Sequence, residues 1–196
     1  MAEHSAPIQW LRYLFYIHIA LLGATFVSWL PIPDLWLTWL KRVLMIGAAL
    51  CLARLSPINS HYKKAALFSI LRVACLLISS LLFSSFVIAL AGSILSILAV
   101  YQEYHAHSQL VAEWDETLSQ KWERFFGWAL LVEILVSFLS SVVSVVMALM
   151  NWDVSNITTL VVAVQLVPSL FIEGFYLMYL NRTVRLLNEK EGDFYG

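Results

Sequence analysis

Residues 65–100 read AALFSILRVACLLISSLLFSSFVIALAGSILSILAV, and the number of times this stretch crosses a bilayer decides the fold of the whole chain. About twenty apolar residues at 1.5 Å rise cover the hydrocarbon core, so the stretch is too long for one crossing and too short for two joined by a long loop. A split near Ser84-Ser85 makes it a tight hairpin of two spans. One uninterrupted helix would move Lys121, Arg124 and the basic tail to the opposite side of the membrane. Charge favours the split. Arg12, then Arg54, Lys63 and Lys64, then Lys121 and Arg124, then Arg182, Arg185 and Lys190 gather at one set of helix ends. The turns at Pro31 to Asp34, near Ser85 and at Met150 to Ile157 hold no Lys or Arg. By the positive-inside rule the basic ends, and with them both termini, are cytoplasmic.

Worked outward, this reading predicts an all-α, polytopic integral membrane bundle of six transmembrane helices in a single domain, 1–196. The expected spans are 10–30, 35–55, 65–84, 86–108, 121–150 and 158–180. The first segment lacks a basic n-region and an A-x-A-like cleavage site, so it reads as an uncleaved span rather than a signal peptide. Pro31 and Pro33 stop span one, and Ser56-Pro57 stops span two. Leu110, Val111, Trp114 and Leu118 keep a helical apolar period beyond Tyr101, which predicts a short interfacial helix over 108–118. Thr117-Leu-Ser-Gln120 has capping-box spacing for the start of span five. Pro168 lies within span six and removes a backbone bond there. Aromatic residues Trp29, Trp36, Trp39 and Trp152 mark the outer boundary. Trp10-x-Arg12, Tyr62-x-Lys64 and Trp122-x-Arg124 hint at a threefold hairpin repeat, although aromatic belts and positive-inside charge produce the same pattern anywhere.

Composition agrees. Of 196 residues, 61% are hydrophobic and 13% charged, with a mean hydropathy of +0.79, more apolar surface than a water-soluble core of this size can cover. A net charge of −1 offers no general attraction to nucleic acid. Cys51 and Cys75 lie in apolar segments without CxxC spacing and read as free buried thiols. The expected location is a cytoplasmic membrane of bacterial type, where the sequon Asn156-Ile-Thr158 carries no meaning.

A charge at membrane depth costs roughly 2.5 to 3.5 kcal/mol on insertion scales, so it normally faces protein or water and has a partner. His18, Arg72, Glu133 and Glu173 each lie eight or nine residues from a cytoplasmic marker, or about 12 to 14 Å deep, and form the expected polar layer. Arg72 is expected to pair with Glu133 or Glu173, leaving the other carboxyl to be protonated, to meet His18 or to hold a ligand. Supporting polar faces follow helical spacing: Ser93, Ser96, Glu103 and His107 in span four; Glu133, Ser137, Ser140, Ser141 and Ser144 in span five; Gln165, Ser169, Glu173 and Tyr176 in span six. Thr25, Thr38 and Arg42 extend the pattern, Arg42 either snorkelling outward or meeting an anion in an outer vestibule. The bland reading of the serines is close helix packing.

Glu103 and His107 at i and i+4, with His61 from the preceding loop, also have the residue types for a metal ion, but no HExxH signature accompanies them and a hydrogen-bonded helix end is the competing reading. No cofactor is otherwise implied. These features predict a transporter, channel or ligand-binding membrane subunit for a small ligand or ion. The alternative class is a scaffold that self-associates or docks another membrane protein; an intramembrane enzyme, third, lacks a nucleophile–base motif.

Overall fold

Polar caps start two of the helices that rise from the basic end. In the computed structural model, which describes residues 5–27, 34–81, 86–149 and 154–195, with side chains over 7–27, 35–80, 87–143, 145–147 and 164–190, Asn59 precedes helix α3 (Ser60–Leu81). Its Oδ1 accepts the His61 N–H at 2.9 Å, satisfying a donor that the helix leaves unpaired. Asp115 does the same for α5 (Glu116–Leu149), accepting the Leu118 N–H at 2.8 Å. The expected capping box at Thr117 is therefore replaced by a cap two residues earlier. The remaining helices are α1 (Ser5–Val27), α2 (Asp34–Leu55), α4 (Phe86–Val111) and α6 (Val154–Tyr195). The separate helix expected over 108–118 is absent: α4 runs on to Val111, a turn carries the Trp114 N–H to the Val111 carbonyl at 3.0 Å, and α5 begins at once. The apolar period read there spans the end of one helix and the start of the next. Helix α6 also continues well beyond residue 180, and Leu180, Val184 and Leu187 are buried in the same core as Ile8, Leu11 and Leu14 of α1.

Asp115 also accepts a 2.9 Å bond from Arg182. The Leu118 backbone donor, and then Arg182, hold its carboxyl below the ordinary 3.8. A depressed carboxyl contributes stability that is complete above its ordinary range and lost as pH falls through the lower folded value. Asp115→Ala should cost about 1 kcal/mol as a lost cap. Asp115→Asn should keep the cap while flattening the acid limb of the stability profile, measurable by thermal melts below pH 5.

Each helix packs antiparallel on its sequence neighbours, and α6 closes back on α1, so the six form a ring. Register is visible pair by pair: Arg54 over the Trp10 ring (α2, α1), Arg42 to Ser80 (α2, α3), Tyr62 to His107 (α3, α4), Ser108 to Ser119 (α4, α5), Trp122 to Thr183 (α5, α6) and Arg12 to Asn188 (α1, α6). Close approach of α1 and α2 falls at Gly47, where an added Cβ would lie 3.3 Å from Ile17 Cδ1.

The core occupies the basic end. Leu11, Leu14, Leu52, Leu55, Tyr62, Val111, Leu118, Trp122 and Leu180 are all fully buried there. Toward the other end the ring loosens, and Leu135, Phe138 and Phe171 are exposed. Among the described residues four helical segments are long and apolar enough to cross a membrane: Pro7–Val27, Leu35–Leu55, Val87–Val111 and Glu116–Met147. Their apolar outer faces make this a membrane protein in contact with lipid. The apolar parts of α3 and α6 are diluted by Lys63, Lys64 and Arg72, and by Gln165, Pro168 and Glu173. The expected outer turns at 31–33, 84–85 and 150–153, the side chains of Trp29, Ser144 and Trp152, and those of the sequon lie outside the described residues.

Candidate functional site: a charged cavity inside the ring

Where the core gives way to the looser half, a cavity of about 310 Å³ receives side chains from all six helices. Helix α1 supplies His18 and Thr25, α2 Met45, α3 Arg72, α4 Ser96 and Glu103, α5 Glu133, and α6 Ser169, Glu173 and Tyr176. The four residues of the expected polar layer all line it. A second cavity, about 650 Å³, shares Arg72, Ser96 and Glu133 and extends between α3, α4 and α5 past Ser79, Ser93 and Ser137. It leads away from the basic end.

Within the layer one glutamate meets His18, one of the outcomes expected for it, but Arg72 does not take the other. His18 Nδ1 and Glu173 Oε1 are 2.6 Å apart, with side chains 17% and 28% exposed. Helix α6 reaches α1 only by closing the ring, so this contact depends on topology. Arg72 and Glu133 share both cavities and lie within each other's field. They are not in ion-pair contact, and Arg72 meets no carboxylate among the described residues.

Toward the basic end the cavity has a polar floor. The Tyr176 hydroxyl donates to Glu103 Oε1 at 2.5 Å, and the Tyr176 ring lies 4.3 Å from that of His18. Glu103 Oε1 is 3.7 Å from His107 Nε2, and His107 Nδ1 is 2.9 Å from the Tyr62 hydroxyl. Beneath the floor Trp122 donates its indole N–H to Thr183 at 3.1 Å and packs against His107, Tyr104 and Tyr176. Tyr62, His107, Trp122 and Thr183 have no exposed surface. They seal the basic end with close-packed rings, and of their polar tips His107 Nε2 has no hydrogen-bond partner among the described residues.

Glu103 and His107 thus belong to the floor, and the three-residue metal group fails. His61 bonds instead to Gln102 Oε1 at 2.5 Å and packs its ring 4.6 Å from His105, one helical face away from Glu103. Among the described residues no three His, Cys, Asp or Glu side chains gather as a metal site. Arg42 donates to Ser80 Oγ at 2.8 Å and lies 5.0 Å over the Trp39 ring, apart from both cavities. Ser93, Ser141 and Ser169 each donate to the carbonyl four residues back, at 3.0, 2.9 and 2.8 Å, which ties them to their own helices. Ser96 and Ser137 line cavities, whereas Gln165 is exposed and lines neither.

The seal at Trp122 and Thr183 was not legible from sequence. Trp122 carries the same aromatic-before-base pattern as Trp10, and only the α5–α6 register brings it to a threonine 61 positions away. Compared with protein-family models, curated proteins and solved structures, the chain matches none.

Proposed function

We propose that this is a six-span membrane protein, termini in the cytoplasm, that binds and carries a small polar solute or ion in the cavity at the centre of its ring. The observation that carries the reading is the convergence of His18, Arg72, Glu103, Glu133 and Glu173 on one cavity inside a membrane bundle. Ionisable groups at this depth mark substrate or ion pathways. The positive-inside rule puts the Trp122 seal on the cytoplasmic side and the second cavity on the outside. A fully buried aromatic layer across the only described floor fits a carrier that alternates access better than a standing pore. A docking scaffold is the second reading, favoured by the exposed polar side chain of Gln165, which lines neither cavity and which a partner helix would satisfy.

Accessibility tests both. In a Cys51→Ala, Cys75→Ala background, Ser96→Cys should react with a small membrane-impermeant thiol reagent added outside intact cells, and Lys121→Cys should not. Protection of Ser96→Cys while Ser79→Cys reacts would favour the scaffold. Outside labelling at position 121 would overturn the six-span topology.

A further inference from the structure

The charges of the cavity divide into those already engaged and those that are not. His18 and Glu173 hold each other at 2.6 Å. Glu103 accepts the Tyr176 hydroxyl and sits against His107. Arg72 and Glu133 remain: among the described residues neither makes an ion pair or a side-chain hydrogen bond, yet each lines both cavities and lies in the field of the other. Opposite charges that face one space without touching are each left to find another partner inside it. Guanidinium is matched by a carboxylate, which it grips with paired N–H donors. The Glu133 carboxylate is matched by an ammonium group. A cation alone would leave Arg72 unmatched, and an anion alone would leave Glu133 unmatched.

We infer that the solute is zwitterionic, of the amino-acid class, with its carboxylate on Arg72 and its ammonium group on Glu133. This rests on the solute-binding reading of the same cavity and names the class it selects. The volume, about 310 Å³, is at the small end of the range of roughly 300 to 1,000 Å³ typical of small-molecule sites. Ser96, which lines the space beside both charges, adds a hydroxyl for either end of the solute. Such a ligand bridges α3 and α5, which are not sequence neighbours, and so ties together two sides of the ring at its looser level.

Melting of the purified full-length chain with glycine, β-alanine and γ-aminobutyrate, which space the two charges progressively, tests this. Propylamine and propionate, singly and mixed, present the charges unlinked. One amino acid should raise the melting temperature by about 3–6 °C at tenfold over its Kd, and the unlinked ions should leave it unchanged. Arg72→Gln and Glu133→Gln should each abolish the rise, and Arg42→Gln, outside the cavities, should retain it. Where a neutral variant fails to melt cooperatively, Glu133→Asp supplies the readout: the shorter arm widens the gap, so preference should move to the next longer amino acid. An unmoved preference overturns the inference. A rise with propylamine alone that survives Arg72→Gln also overturns it, while leaving a cation-binding cavity. No rise with any probe, when Ser96→Cys is labelled from outside, overturns the zwitterion and keeps an open cavity. Protection of Ser96→Cys removes the underlying reading as well.

Discussion

Trp122→Ala should destabilise the bundle by about 3 to 5 kcal/mol, the usual cost of truncating a fully buried aromatic side chain. The ring touches His107, Tyr104, Phe125, Tyr176 and Tyr179, and its indole N–H reaches Thr183. All of that is lost together, leaving a cavity where α4, α5 and α6 meet. Thermal melts should show a fall of roughly 6–20 °C for a chain of this size. Trp122→Phe keeps the stacking and gives up the hydrogen bond, so it should cost about 1 kcal/mol plus a smaller packing loss. Should Trp122→Ala melt within a degree or two of the parent, the close-packed basic end described above would be wrong.

The second large effect belongs to the pair that closes the ring. His18→Ala leaves Glu173 in the cavity wall without its 2.6 Å partner. The loss should be about 1 to 3 kcal/mol, below that of a fully sealed pair because both side chains retain some exposure. Glu173→Gln should cost less, as an amide still bonds a neutral imidazole. A double-mutant cycle of His18→Ala with Glu173→Gln should show coupling of about 0.5 to 3 kcal/mol. Arg72→Gln with Glu133→Gln should couple more weakly, since those two are not in contact. Strict additivity at His18 and Glu173, with strong coupling at Arg72 and Glu133, would reverse the pairing.

A direct Arg72–carboxylate pair is what the sequence leads one to expect, and the reason none forms among the described residues is physical. Depth is readable from one dimension: counting residues from each basic end at a fixed helical rise places His18, Arg72, Glu133 and Glu173 at one level, and all four line one cavity. Direction around a helix is partly readable, through the spacing of Ser96, Glu103, Ser137 and Glu173. The order of helices around the ring is not readable, because every antiparallel arrangement keeps the same depths. Arg72 has the strongest formal claim on a carboxylate, yet α6 stands beside α1, and Glu173 meets His18. His61 failed as a metal ligand for a related reason. Read as a loop residue it could have met either face of α4, but it lies in the first turn of α3, where Gln102 and His105 face it. Helix ends were misread where local caps decide them, as at Asp115, whose side chain stops one reading and starts another within a turn.

The closure of α1 on α6 has a consequence for how the protein is made. Every other strong helix contact joins neighbours in the chain, so each can form as its hairpin leaves the ribosome. The α1–α6 seam joins the first helix synthesised to the last. Until α6 arrives, His18 has no carboxylate partner and Glu103 lacks the Tyr176 hydroxyl, while one flank of the cavity lies open to the bilayer. The newborn five-helix intermediate therefore carries bare ionisable groups at lipid depth, which makes late synthesis the stage at which an insertase or membrane chaperone has most to shield and a quality-control protease most to recognise.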